Sequence, residues 1–211
     1  MEVGSKLLAA IRGAKNGLFQ PVESSPDGEL LVNAGLPPYA EISRQGDGWS
    51  AMATAAVAAL VVRPTTVAMA TLWNGEGEGG KSYILDRAFA HNLVGTANGV
   101  YGLWLCVHKR MAAVTDDITA RGSLSGKGTA YNGAARFDNG ATVGDHGWFP
   151  YGKSGHTVTI TTPGEQLEVL LEGRIIVPPQ CGVSLHVVAD VVGATFTSGF
   201  AWYERKVTIS V

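Results

Sequence analysis

Residues 166–177 alternate with a period of two, and this pattern constrains the chain more than any other. Leu167, Val169, Leu171, Ile175 and Val177 share one parity, while Gln166, Glu168, Glu172 and Arg174 fall on the other. Such spacing gives a strand one buried and one wetted face and gives a helix neither. Residues 156–162 alternate likewise and are rich in β-branched side chains, which favour strands. Val183, Leu185, Val187, Ala189 and Val191 form another face. Phe196, Phe200 and Trp202 share a parity that Val207 and Ile209 reverse, so a bulge is expected near residues 203–206. Residues 100–108 are apolar on both faces, as in a central strand covered on both sides.

Turn chemistry separates these runs. Asn74-Gly75, Asn98-Gly99, Asn132-Gly133, Asn139-Gly140, Pro163-Gly164 and Pro178-Pro179 recur between them. Short strands at this spacing, with little helical periodicity, define an all-β sandwich or barrel. Residues 121–156 form a glycine-rich excursion, the kind of long loop that carries functional surfaces. Residues 1–36 differ from the rest. A short helix from Ser5 to Ile11 is followed by repeated Gly and Pro breaks, so this segment reads as an arm and residues 37–211 as the β-sandwich.

Composition excludes several classes. Charged residues are 16% of 211 and hydrophobic residues 45%, which suits a chain with a sizeable core. The net charge is −2 without a basic stripe, so no nucleic-acid partner is expected. No apolar stretch reaches the roughly 18–20 residues that span a bilayer, so no membrane partner is expected either. Lys6, Arg12 and Lys15 surround only five consecutive apolar residues, too few for a secretory signal, which implies synthesis in the cytoplasm. Cys106 and Cys181 offer no framework of disulfides and read as two unpaired thiols, Cys106 buried.

One motif invites a chemical reading. Gly75-Glu76-Gly77-Glu78-Gly79-Gly80-Lys81-Ser82 fits the phosphate-loop pattern letter for letter, and Asp190 is a conceivable magnesium partner. Two carboxylates inside the loop oppose a polyanion, and the residues after it read as a strand, which has no helix dipole to offer phosphate. A glycine-rich hairpin loop is the better reading, and no cofactor is expected. His91, His108 and His186 fall on different predicted strands. Asp145, His146, Ser154 and His156 lie in the long loop. Neither set matches a zinc or nucleophile spacing, so neither a metal nor a catalytic residue is assigned. Trp148, Phe149 and Tyr151 form an aromatic cluster that suits burial or a subunit contact, and alternatively stacking on sugar rings.

Two stretches carry a family likeness. Thr71-Leu72-Trp73-Asn74-Gly75-Glu76 with Gly79-Gly80-Lys81-Ser82-Tyr83-Ile84-Leu85-Asp86 is one. Arg174-Ile175-Ile176-Val177-Pro178-Pro179, Val183-Ser184-Leu185 and Phe200-Ala201-Trp202-Tyr203-Glu204 are the other. Across residues 39–206 the chain resembles the jelly-roll β-sandwich virion proteins of tailed bacteriophages, of the head decoration or cement type. The resemblance implies a jelly-roll-like antiparallel β-sandwich with an extended N-terminal arm, located on the virion head. It implies a non-enzymatic protein whose partner is the major capsid protein; apolar residues on both faces of 100–108, with the low charge content, add the expectation of a homotrimer. Expected partner contacts are Leu7, Leu8, Ile11, Leu18, Phe19 and Val22 of the arm, with Trp148, Phe149 and Tyr151. A carbohydrate-binding or adhesion sandwich using the same aromatic loop is the alternative.

Overall fold

The computed structural model describes residues 13–15, 18–20, 38–94, 99–124, 131–157 and 166–207. The chain divides into two compact units, Met1–Pro38 and Tyr39–Val211. In the first, strands β1 (Gly13–Lys15) and β2 (Leu18–Gln20) pair antiparallel. The expected helix at residues 5–11, and Leu7, Leu8, Ile11 and Val22, lie outside the described residues. Leu18 and Phe19 are placed in β2 by their backbone alone.

A helix that the alternation does not announce, α1 (Pro38–Gln45), opens the second unit. Proline at its first position has no N–H to leave unsatisfied. Its end is closed by Gly46 at φ 76°, with Gly46 N–H donating to Ser43 O and Asp47 N–H to Ile42 O. Those two bonds are a Schellman motif, which needs a residue tolerant of the left-handed region.

Twelve strands follow: β3 (Gly48–Met52), β4 (Val57–Ala58), β5 (Ala70–Asn74), β6 (Ser82–Val94), β7 (Gly99–His108), β8 (Arg121–Gly122), β9 (Ala135–Asp138), β10 (Phe149–Thr157), β11 (Gln166–Leu170), β12 (Ile176–Val177), β13 (Gly182–Ala189) and β14 (Thr195–Arg205). One antiparallel sheet, the strapped sheet, runs β10-β7-β13-β5-β9. The other, the bare sheet, runs β11-β6-β14-β3-β8, with β12 also on β6 and β4 on β14. Setting aside β4, β8, β9 and β12 leaves eight principal strands. Counted along the chain, the bare sheet then reads first, eighth, third, sixth, and the strapped sheet second, seventh, fourth, fifth. That order is the double Greek key of a jelly roll, and it places the expected sandwich on the observed hydrogen bonds.

The core lies between the sheets. Leu72, Tyr101, Leu103, Leu105, Val183, Leu185 and Val187 meet Tyr83, Leu85, Leu167, Phe196, Phe200 and Trp202 from the opposite layer. Tyr101 packs edge-on against Phe196 with centroids 4.9 Å apart. Each fully buried large apolar side chain contributes about 1.5–3 kcal/mol before chain entropy is counted. The run at 166–177 keeps its face as expected but is two strands. Glu172 and Gly173, both at positive φ, make a tight turn closed by Arg174 N–H donating to Leu171 O, and the chain rejoins β6 in phase. β14 has register shifts at Thr195/Phe196 and Ala201/Trp202, both earlier in the chain than the parity flip indicates. Pro178-Pro179-Gln180-Cys181 is a turn, with Cys181 N–H donating to Pro178 O and Gln180 at φ 61°.

Candidate functional site

The stretch 75–82 is not a hairpin loop. β5 belongs to the strapped sheet and β6 to the bare one, so the loop crosses between layers at one end of the sandwich. Asn74 holds it, its amide donating to Lys81 O and Val177 O while its Oδ1 accepts from Glu76 N–H. A strand, not a helix, follows Lys81. Asp190 lies beyond the far end of β13, about 25 Å away at strand rise per residue. The geometry for gripping a nucleotide phosphate is therefore missing.

Lys81 instead faces a buried carboxylate. Its Nζ lies 3.5 Å from Oε2 of Glu204, which is only 2% exposed. Oε1 accepts from Tyr131 OH at 2.6 Å and from Trp202 Nε1 at 3.4 Å. Tyr131 OH in turn accepts from Ala135 N–H at 2.9 Å and stands 3.4 Å from Tyr83 OH. Burial pushes both phenols well above the usual tyrosine range, so they stay protonated as donors. The cluster is a closed polar cap that ties the crossover and residues 131–135 to β14.

The outer side of the strapped sheet is covered by the chain itself. β9 sits at one edge of that sheet and β10 at the other, so residues 139–148 must cross its width. Ala141, Val143 and Trp148 from this strap meet Ala68, Cys106 and Val114, with Trp73, Trp104 and Met111 packed against them. β7 is thus covered on its outer side over Cys106 and His108 by this strap, while Val100 and Val107 are exposed, so the two-sided cover its sequence indicates is only partial. Trp148 is 4% exposed and donates from Nε1 to Thr65 O at 2.8 Å.

Beneath the strap runs a polar row that sequence spacing did not bring together. Thr71 Oγ1 lies 2.8 Å from Ser184 Oγ, Ser184 Oγ lies 2.8 Å from His108 Nε2, and His108 Nδ1 lies 3.0 Å from His146 Nδ1. Burial, with His146 alongside, pushes His108 down to about 4. Burial also lowers His186 on the same face and raises the Cys106 thiol. Ser184 is fully buried and already bonded, so it presents no nucleophile to solvent. His91 lies apart, on β6 of the other sheet opposite Thr197 and Gln166. Side chains of Ser154 and His156 are outside the described residues. Among the described residues, no three His, Cys, Asp or Glu side chains are grouped to hold a metal ion. Cys106 and Cys181 are both free thiols. No described helix is long and apolar enough to cross a membrane.

The aromatic cluster divides. Trp148 seals the strap, while Tyr151 on β10 is partly buried against the main core with Phe149 edge-on to it at 5.6 Å. A groove beside them is lined by Pro150, Tyr151, Gly152, Glu168, Leu170 and Arg174.

The outer face of the bare sheet has no such strap among the described residues, though Ile42 and Ser43 of α1 and residues 117–121 border it. Cross-strand pairing sets Glu168, Phe89, Gly199 and Met52 in one row, Leu170, Arg87, Ala201 and Ser50 in the next, and Ile176, Ile84 and Tyr203 in a third. Met52 is 48% and Leu170 57% exposed, and Ile176 is exposed as well. Small residues make a trough at the centre. A Cβ at Gly199 would sit 2.2 Å from Ala51 O and 2.8 Å from the Phe89 ring, so only glycine fits. Arg87 and Glu168 pair at 2.9 Å, which balances charge across the face. The parity of residues 166–177 puts Glu168 on this outer side, and no local pattern announces the exposed Met52 and Leu170.

Among the described residues the fold is a jelly-roll β-sandwich with a strap across one outer face. The chain matches no family model, no curated protein and no solved structure.

Proposed function

We propose that this protein is a non-enzymatic virion structural protein of the head decoration or cement type, working as a homotrimer that binds the major capsid protein. The observation that carries this reading is the contrast between the two outer faces. A solvated sheet face normally carries polar residues, and one that exposes Met52, Leu170 and Ile176 suits contact with protein.

A closed ring of three needs two different surfaces, one meeting the other on the next copy. The bare sheet supplies the first. Val61, Val62 and Val192, all exposed, follow the paired segments at Leu60 and Val188 and supply the second. The face is charge-balanced by Arg87 and Glu168, so a second copy meets no net like charge there. The apolar residues of the arm, Leu7, Leu8, Ile11, Leu18, Phe19 and Val22, are left for the shell.

The test is co-sedimentation with shells assembled from the major capsid protein of the same genome. The full chain should pellet with the shells, and a chain lacking residues 1–36 should stay folded but lose most of that binding. A full chain that never pellets with them would overturn the assignment. The carbohydrate reading retains one supporting observation, the groove beside Phe149 and Tyr151, although burial of Trp148 removes its largest stacking surface.

A further inference from the structure

The strap of residues 139–148 is anchored at both ends and carries an exposed crest. Its ends are fixed by β9 and β10, and Gly140 and Gly147, at φ 95° and 102°, sit near them in a region other residues avoid. Its first half is tied to the segment before β5 by Ala68 N–H to Ala141 O and Val143 N–H to Thr66 O. The exposed crest, residues 144–147, has two side-chain pins. Asp145 takes both guanidinium nitrogens of Arg63, at 2.7 and 2.9 Å. His146 reaches down to His108.

We propose that the crest of this strap is an acid-released cover, held shut by the contact between His146 and His108 and lifted when both rings carry a proton, uncovering Cys106.

Hydrogen-bond inventory gives the reason. Two Nδ1 atoms at 3.0 Å need one N–H and one lone pair between them. A first proton on the pair leaves that arrangement intact, since an imidazolium still donates to a neutral ring. A second proton sets two donors and two positive charges against each other, one of them on the buried ring of His108. His108 cannot turn away, because Nε2 is engaged by Ser184, itself bonded to Thr71. The exposed crest, residues 144–147, is the part free to yield, while the backbone ties at Ala141 and Val143 and the Trp148 bond to Thr65 stay in place.

Four other ionisable groups lie along this face. Asp145 is held below the usual carboxylate range by Arg63 and by Gly147 N–H, so its pin survives mild acid and is not the sensor. Cys106, 3.8 Å from His108 Nδ1, is a neutral thiol throughout, its ionisation pushed up by burial. His186, buried on β13 along the same face, is lowered as well and adds a further buried charge in acid. Arg63 carries its charge at every pH of interest and answers Asp145.

The experiment follows Cys106 in the full chain carrying Cys181→Ser. Its labelling by 4,4′-dithiodipyridine is measured from pH 7 to pH 4 and divided at each pH by the rate for N-acetylcysteine, with far-UV circular dichroism recorded alongside. The ratio should stay low until pH falls toward the value at which His108 takes its proton. It should then rise by about tenfold or more while the sheet signal persists, as for a local opening. His146→Gln, an exposed substitution that leaves a single ring and so no pair of like charges, should remove the acid rise without altering the fold. A ratio that is flat with pH, a rise that coincides with loss of the sheet signal, or an unchanged rise in His146→Gln would each overturn the proposal.

Discussion

Lys81 Nζ and Glu204 Oε2 stand 3.5 Å apart, the only cation drawn to a carboxylate that is 2% exposed among the described ion pairs. The residue that completes the phosphate-loop pattern therefore serves as counter-charge to the core. Lys81→Ala should lower the unfolding free energy by about 1 kcal/mol, discounted because the lysine is half exposed. Adding Glu204→Gln should recover part of the loss, and urea unfolding of the four chains of the cycle measures the coupling. Titration with ATP and magnesium should give no binding that depends on Lys81.

Tyr131 is the strongest partner of that carboxylate, at 2.6 Å, and also accepts from Ala135 N–H. Tyr131→Phe leaves both groups short of a partner and should cost about 2 kcal/mol. Tyr83→Phe removes only a 3.4 Å contact and should cost distinctly less. Thermal unfolding of the two variants side by side checks the order.

How legible was this in the sequence? Parity in residues 166–177 and 183–189 named core positions correctly, because each strand has one face on a shared interior. The letters of residues 75–82 misled because a pattern of glycines says nothing of which sheet the flanking strands join. α1 was missed although Pro38 and Gly46 are ordinary helix punctuation, because eight residues are too few to build a periodic signal. The row Thr71, Ser184, His108 and His146 joins residues far apart in the chain. It depends on β5, β13 and β7 being neighbours and on the strap crossing them, and no local pattern encodes that. Legibility ended where long-range pairing began.

Stability should fall in acid, and the sign follows from the histidines. His108 is pushed down to about 4 in the fold, against about 6.5 when unfolded, so the unfolded chain binds more protons between those values. Its contribution is present above pH 6.5 and is lost as pH falls through about 4. The loss should reach about 2 kcal/mol after allowance for solvent screening. Denaturant melts at closely spaced pH values should show it, and His108→Gln should flatten the slope in that window.

Gly199→Ala should be among the most damaging single-methyl changes on the bare sheet. The new Cβ would meet Ala51 O and the Phe89 ring at distances that real side chains do not adopt, so strands β3 and β14 must part. A cost of about 1–3 kcal/mol is expected. Ala201→Gly, one row away, should cost less, and calorimetry distinguishes the two.

The central claim is that copies of this chain meet through the bare sheet. Light scattering on the size-exclusion peak, at micromolar concentration, tests it most directly with the wild type and with Met52→Lys/Leu170→Lys. Both substituted residues are exposed, so the fold should survive, as circular dichroism will verify. The account predicts three times the 22.0 kDa chain for the wild type and a single 22.0 kDa chain for the variant. A wild type that stays at the mass of one chain, or a folded variant that keeps the mass of three, would contradict it.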